Sequence, residues 1–146
     1  MRNPFFIASF FLMGLLLGGC ENKEEPKEET SQGISGTVFL SESLLKSYSP
    51  KDTLYLIVHP AGVKRGAPIA VQRIGEPKFP YSFKVGPEDM MIPGGEFMGP
   101  FSIKAKLSKS GDAISQPGDL EGFSSGSEIH PGSEAIQVTI DHVVSN

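Results

Sequence analysis

Three carboxylates stand close together in "SKSGDAISQPGDLEG", the stretch from Ser108 to Gly122, where Asp112, Asp119 and Glu121 are set among three glycines and a proline. Loop carboxylates are the ligands that hard cations take, but a calcium loop supplies them at alternate positions, which these acids do not follow. The same residues spell turns. Gly111 in "KSGD" can adopt positive φ, and "QPGD" puts proline second and glycine third, as a type II turn requires. The stretch therefore reads as chain reversal, with Asp112, Asp119 and Glu121 offered as an interaction loop.

Softer donors lie elsewhere. Met90, Met91 and Met98 are near one another in sequence, and with His59, His130 or His142 they have the thioether and imidazole chemistry that suits copper. No His-x-His or Met-x-Met spacing supports it, and methionine commonly fills gaps in a core or under a loop. The reading is no metal and no other cofactor, with copper at Met90, Met91, Met98 and His59 as the alternative. His142 falls on the apolar parity of the last strand and is expected to be structural. Ser124, Ser125 and Ser127 near His130 offer a nucleophile beside a base, but serines next to glycine are the ordinary material of loops, and no zinc-binding His-Glu-x-x-His occurs. Catalysis is not expected.

The elements that carry these residues show a period of two. "ISGTVFL" alternates Ile34, Gly36, Val38 and Leu40, and "PYSFKV" points Tyr81, Phe83 and Val85 one way. In "FSIKAKLS", Phe101, Ile103, Ala105 and Leu107 should face inward while Ser102, Lys104, Lys106 and Ser108 face water. "AIQVTID" repeats the scheme with Ile136, Val138 and Ile140. "TLYLIV" is apolar on both faces, as a central strand is, and Pro68 to Ile74 forms a further strand. Turn signals separate these runs, and "SESLLKSY" suggests one short helical turn capped by Ser41 or Ser43. Many short strands in a chain of this size predict an all-β, antiparallel β-sandwich of immunoglobulin-like shape, a single domain over 34–146. A sheet edge and the surfaces from Met90 to Phe101 and Asp112 to Phe123 would supply contacts, with Phe97 and Phe123 either exposed for that use or plugging the ends of the sandwich.

The first residues, "MRNPFFIASFFLMGLLLGGC", carry Arg2, then an apolar run from Phe5 to Leu17, which has the proportions of a signal-peptide core. Leu17-Gly18-Gly19-Cys20 resembles the lipobox of bacterial lipoproteins, with residues 1–19 as the cleaved signal peptide. Cys20 is the only cysteine of the chain, and its acylation would leave no thiol for a disulfide or a redox site. Several acyl chains on one residue anchor stably, because each buried methylene contributes about 0.8 kcal/mol. Residues 20–33 then form a charged tether, five Glu against two Lys with no large apolar side chain, too polar to offset its own ordering entropy. The expected location is a lipid-anchored one, on a membrane and facing the periplasm or cell exterior. Residues 34–146 hold ten bases and twelve acids, a balance that argues against nucleic acid as a partner.

The acidic stretch, together with "ISGTV", "SPKDTLYLIV", "GAPIAVQRI" and "DMMIPGG", resembles the C-terminal periplasmic domain of cytochrome c biogenesis proteins of the CcmI (fused CcmH) type, from about Ile34 to Val144. The resemblance implies a β-rich domain outside the inner membrane, in a system that handles apocytochrome c for haem attachment. Its partners would be cytochrome c maturation proteins or apocytochrome c. It also implies a packing role for Met90 and Met91, where that family tends to have methionines. The thiol-reducing partners in that system carry Cys-x-x-Cys, which this chain lacks, so reductase activity does not carry over.

Overall fold

The computed structural model describes residues 32–126 and 128–145, so Cys20, the leader and most of the tether lie outside the described residues. The alternating segments form seven strands: β1 (Ile34–Leu40), β2 (Thr53–Pro60), β3 (Ala70–Gly75), β4 (Tyr81–Val85), β5 (Phe101–Ser108), β6 (Leu120–Ser124) and β7 (Ile136–Val143). They make one continuous sheet in the order β3-β2-β5-β6-β7-β1-β4. The chain is all-β, but the antiparallel sandwich is corrected in two respects. β1 pairs with β7 in parallel, Gly36 opposite Ile136 through Leu40 opposite Ile140, so the sheet is mixed. Because β1 also pairs with β4 on its other edge, the strands of the two expected layers are joined into a single curled sheet.

The curl nearly closes. Edge strands β3 and β4 are drawn together where Ala70 bridges Met90, the Met91 amide donates to Ile69 O (2.9 Å) and Gln72 Nε2 donates to Lys84 O (3.1 Å). Pairing or covering the edges removes the exposed hydrogen-bonding rows that make an open sheet prone to aggregation. Inside lie Val38, Leu54, Leu56, Val58, Phe83, Ile103, Leu107, Val138 and Ile140, the inward parity of their strands. The Phe97 ring packs on Phe101 with ring centres 4.6 Å apart and planes tilted by 38°, and it is buried, as the end-plug reading of the two expected. The helical turn at Glu42–Ser47 contributes buried Leu44. It forms without the expected serine side-chain cap; Ser41 accepts the Leu44 amide through its backbone carbonyl instead (3.0 Å).

One irregularity re-aims a side chain. Between β6 and β7, Glu121 opposes His142 but Gly122 opposes Ile140, so Asp141 is an extra residue on β7. Such a bulge reverses the inside-outside parity beyond it. His142 therefore leaves the core-facing row predicted for it and lies exposed beside Glu121. Only glycine fits at 122, because a Cβ there would sit 1.8 Å from Thr139 O.

Candidate functional site

Two loop surfaces lie at opposite ends of β5, and the structure treats them differently. The β5–β6 loop, which contains the acidic stretch, folds back over the outer face of β2 and β5. Its anchor is Lys106, predicted to face water but fully buried. The Lys106 ammonium donates to the carbonyl oxygens of Asp112 and Ala113, both at 2.7 Å. It also lies 3.6 Å from Asp119 Oδ2 and 5.2 Å from the Tyr55 ring centre. Burial pushes the Lys106 pKa down, and Asp119 opposes that shift without cancelling it.

Asp119 is likewise buried and engaged on both oxygens, accepting the Lys109 amide (3.1 Å) and the Gln116 amide (2.9 Å). Gly118 takes φ 92°, and the Asp119 amide closes the turn onto Gln116 O (3.1 Å), which is the proline-glycine turn read from "QPGD". Tyr55 Oη donates to Gly111 O (2.6 Å), and Lys109 reaches across to Asp52 (3.1 Å). Glu121 pairs with the Lys104 ammonium and with His142 Nε2 (3.2 Å). Of the three acids only Asp112 is exposed, with Ile114 projecting near the loop's tip. The loop's polar groups are therefore spent mainly on holding it against the sheet.

The β4–β5 segment at the other end is built differently. After a short turn at Pro87–Asp89, Met90 packs against the core and seals the β3–β4 seam. Met91, Ile92 and Met98 then project outward at 58%, 73% and 63% exposure. Beside them an open groove of about 290 Å³ is lined by Pro68, Ile69, Met90, Ile92, Gly95 and Glu96. The contact surface expected from Met90 to Phe101 takes in Ile92 and Glu96, although only its methionines were singled out as individual residues.

The alternative copper ligands are not gathered at this groove. Met90 lines it, Met91 and Met98 point to solvent, and His59 is buried on the parity of β2 opposite to core residues Leu56 and Val58. Among the described residues His59 Nδ1 has no hydrogen-bond partner, and burial, reinforced by nearby Lys104, pushes its pKa below the ordinary 6.5. Among the described residues no three His, Cys, Asp or Glu side chains form a group that could hold a metal ion.

A third cluster surrounds Phe123 on the outer face. Its ring stacks on His142 with centres 5.9 Å apart and lies 5.5 Å from Lys64 Nζ and 5.7 Å from Lys104 Nζ. Gly122-Phe123-Ser124-Ser125-Gly126 has the glycine-serine spacing of a nucleophile elbow, which needs a sharp strand-to-helix turn. Here it runs along β6 instead, and Ser124 Oγ accepts the Ile103 amide (3.2 Å).

Fold and surface together define an all-β, single-sheet domain with a latched loop and, among the described residues, an open apolar groove. The chain belongs to the family of the Ig-like domain of cytochrome c-type biogenesis protein H, whose model matches residues 34–141, from β1 into β7. An uncharacterized protein of Aquifex aeolicus is 32% identical over 146 residues, covering 92% of this chain and 93% of that one. An alternative pilotin from the type II secretion system of Vibrio cholerae covers 75% of this chain and 96% of its own, at TM-score 0.46 and 11% identity, a likeness too distant to carry a functional reading.

Proposed function

We propose that the protein is an accessory component of cytochrome c maturation, a non-enzymatic interaction module held on the extracytoplasmic side of a membrane by acylated Cys20. The observation that carries the reading is the family match over 34–141, which takes in almost the entire sheet. The sequence "LGGC" and the charged segment after it support the anchor. The groove-bearing segment supports the module, since exposed apolar residues gathered beside a groove mark interaction surfaces on soluble domains.

The test is affinity purification of the full chain from native membranes, with mass spectrometry of the eluate and of the N-terminal peptide. Enriched cytochrome c maturation proteins or apocytochromes, together with a diacylated or triacylated Cys20, are the expected result. Recovery of neither class above an untagged control would remove the maturation role, and a Cys20→Ala chain that remains membrane-bound would remove the anchor.

A further inference from the structure

We propose that the groove beside Met90 receives an apolar side chain from a basic segment of a partner protein. This inference rests on the interaction-module reading and gives the partner a chemistry. The lining is apolar except for Glu96, and the flanking Met91, Ile92 and Met98 are solvent-exposed. Methionine is flexible and polarizable, so such a rim adapts to a side chain it was not moulded around.

Charge specifies what flanks that side chain. The segment Gly86–Gly99 carries Glu88, Asp89 and Glu96 and no Lys or Arg. The β6–β7 connection packs against it, with Gly99 close to Ile129 O, and adds Glu128 and Glu134, again with no Lys or Arg. The chain enters the domain at this same end: Gly33 approaches Val85 O and Gly86, and the preceding segment holds five Glu against two Lys. Against these acids stand Lys84, whose side chain lies beside Gly33, and Arg65 in the β2–β3 loop that leads to Pro68 in the groove wall, while Lys64 of that loop lies over the Phe123 ring; the five acids Glu88, Asp89, Glu96, Glu128 and Glu134 outnumber these two bases.

These charges separate the occupants. A second copy docking by the same surface would set acids against acids, the protein's own acidic tether would be repelled, and an anionic lipid surface would repel the acids likewise. A lysine- or arginine-bearing segment gains from the field while its leucine, methionine or phenylalanine fills the groove.

The experiment is methyl NMR of the full chain labelled at methionine Cε, titrated with a short peptide of leucine and lysine and with its leucine-glutamate counterpart. The Met90, Met91 and Met98 methyl signals should shift saturably with the lysine peptide, with affinity falling several-fold when salt is raised to about 0.5 M. Ile92→Ser should weaken binding about tenfold by removing apolar lining without adding charge, and Glu96→Lys about three- to tenfold, both with unchanged thermal midpoints. Equal binding of the two peptides, no methyl shift, or shifts produced instead by anionic vesicles or by raising protein concentration alone would each overturn the proposal. If Ile92→Ser still recovers maturation proteins from native membranes, this groove assignment falls and the accessory role stands. If the lysine peptide binds as expected and no maturation protein is recovered, the groove assignment stands and the role falls.

Discussion

The two ends of β5 carry loops of comparable length and opposite construction. At the C-terminal end, the loop before Leu120 is drawn onto the sheet by a buried lysine, a buried aspartate and a tyrosine hydroxyl, each holding backbone groups of the loop. At the N-terminal end, the segment before Phe101 is stitched down at Met90 and Met91 and then leaves three large apolar side chains in solvent. Carboxylates drew attention to the first loop, yet Asp119 is spent on the loop's own amides and Lys106, and Glu121 on Lys104 and His142. The second has little polar chemistry of its own and an exposed surface suited to contact. A conspicuous polar motif is thus as readily a latch as a site, and the deciding observation is where its hydrogen bonds end.

The largest expected effect falls on the latch. Lys106→Met keeps much of the volume but leaves Asp119 charged and unpaired beneath the loop, and should cost about 3–5 kcal/mol in urea unfolding. Ile92→Ser at the other end should change stability by less than about 0.5 kcal/mol, and equal costs for the two variants would erase the contrast. Next, Asp119→Ala should cost about 2–3 kcal/mol because two buried amides and Lys106 lose their acceptor. Asp112→Ala, at an exposed carboxylate, should cost under about 0.5 kcal/mol by the same assay.

A smaller effect concerns pH. The folded-state pKa of His59 is lowered, so the unfolded chain binds its proton more readily. Stability should therefore fall as pH drops below 6.5, by at most about 1.4 kcal/mol per pH unit. Thermal midpoints between about pH 7.5 and 5.5 would show this slope in the parent and its loss in His59→Gln. Another small effect is expected for Lys64→Ala, about 0.5 kcal/mol from a cation set over Phe123, read by urea unfolding.

How much of this was legible follows from the range of the interactions. β1, β5 and β7 announce themselves by alternation, because inside and outside are decided one residue at a time. The parallel pairing of β1 with β7 depends on residues about a hundred positions apart and leaves no local trace. Lys106 was assigned to water on correct strand parity, and only the fold-back of the following loop covers it. His142 was misplaced because a single extra residue, Asp141, shifts the register. The family resemblance implies packing for Met90 and Met91, but the stitch that Met90 makes between β3 and β4 requires knowing that those edges meet.

The most direct test of the central claim is quantitative recovery of cross-linked partners from native membranes by two full-chain variants matched for stability. One is Ile92→Ser with Met98→Ser at the groove end, and the other is Asp112→Ala with Ile114→Ser on the exposed side of the latched loop. The account predicts that the groove variant loses the partner by about tenfold or more while the loop variant retains it. Retention by the groove variant and loss by the loop variant would contradict it.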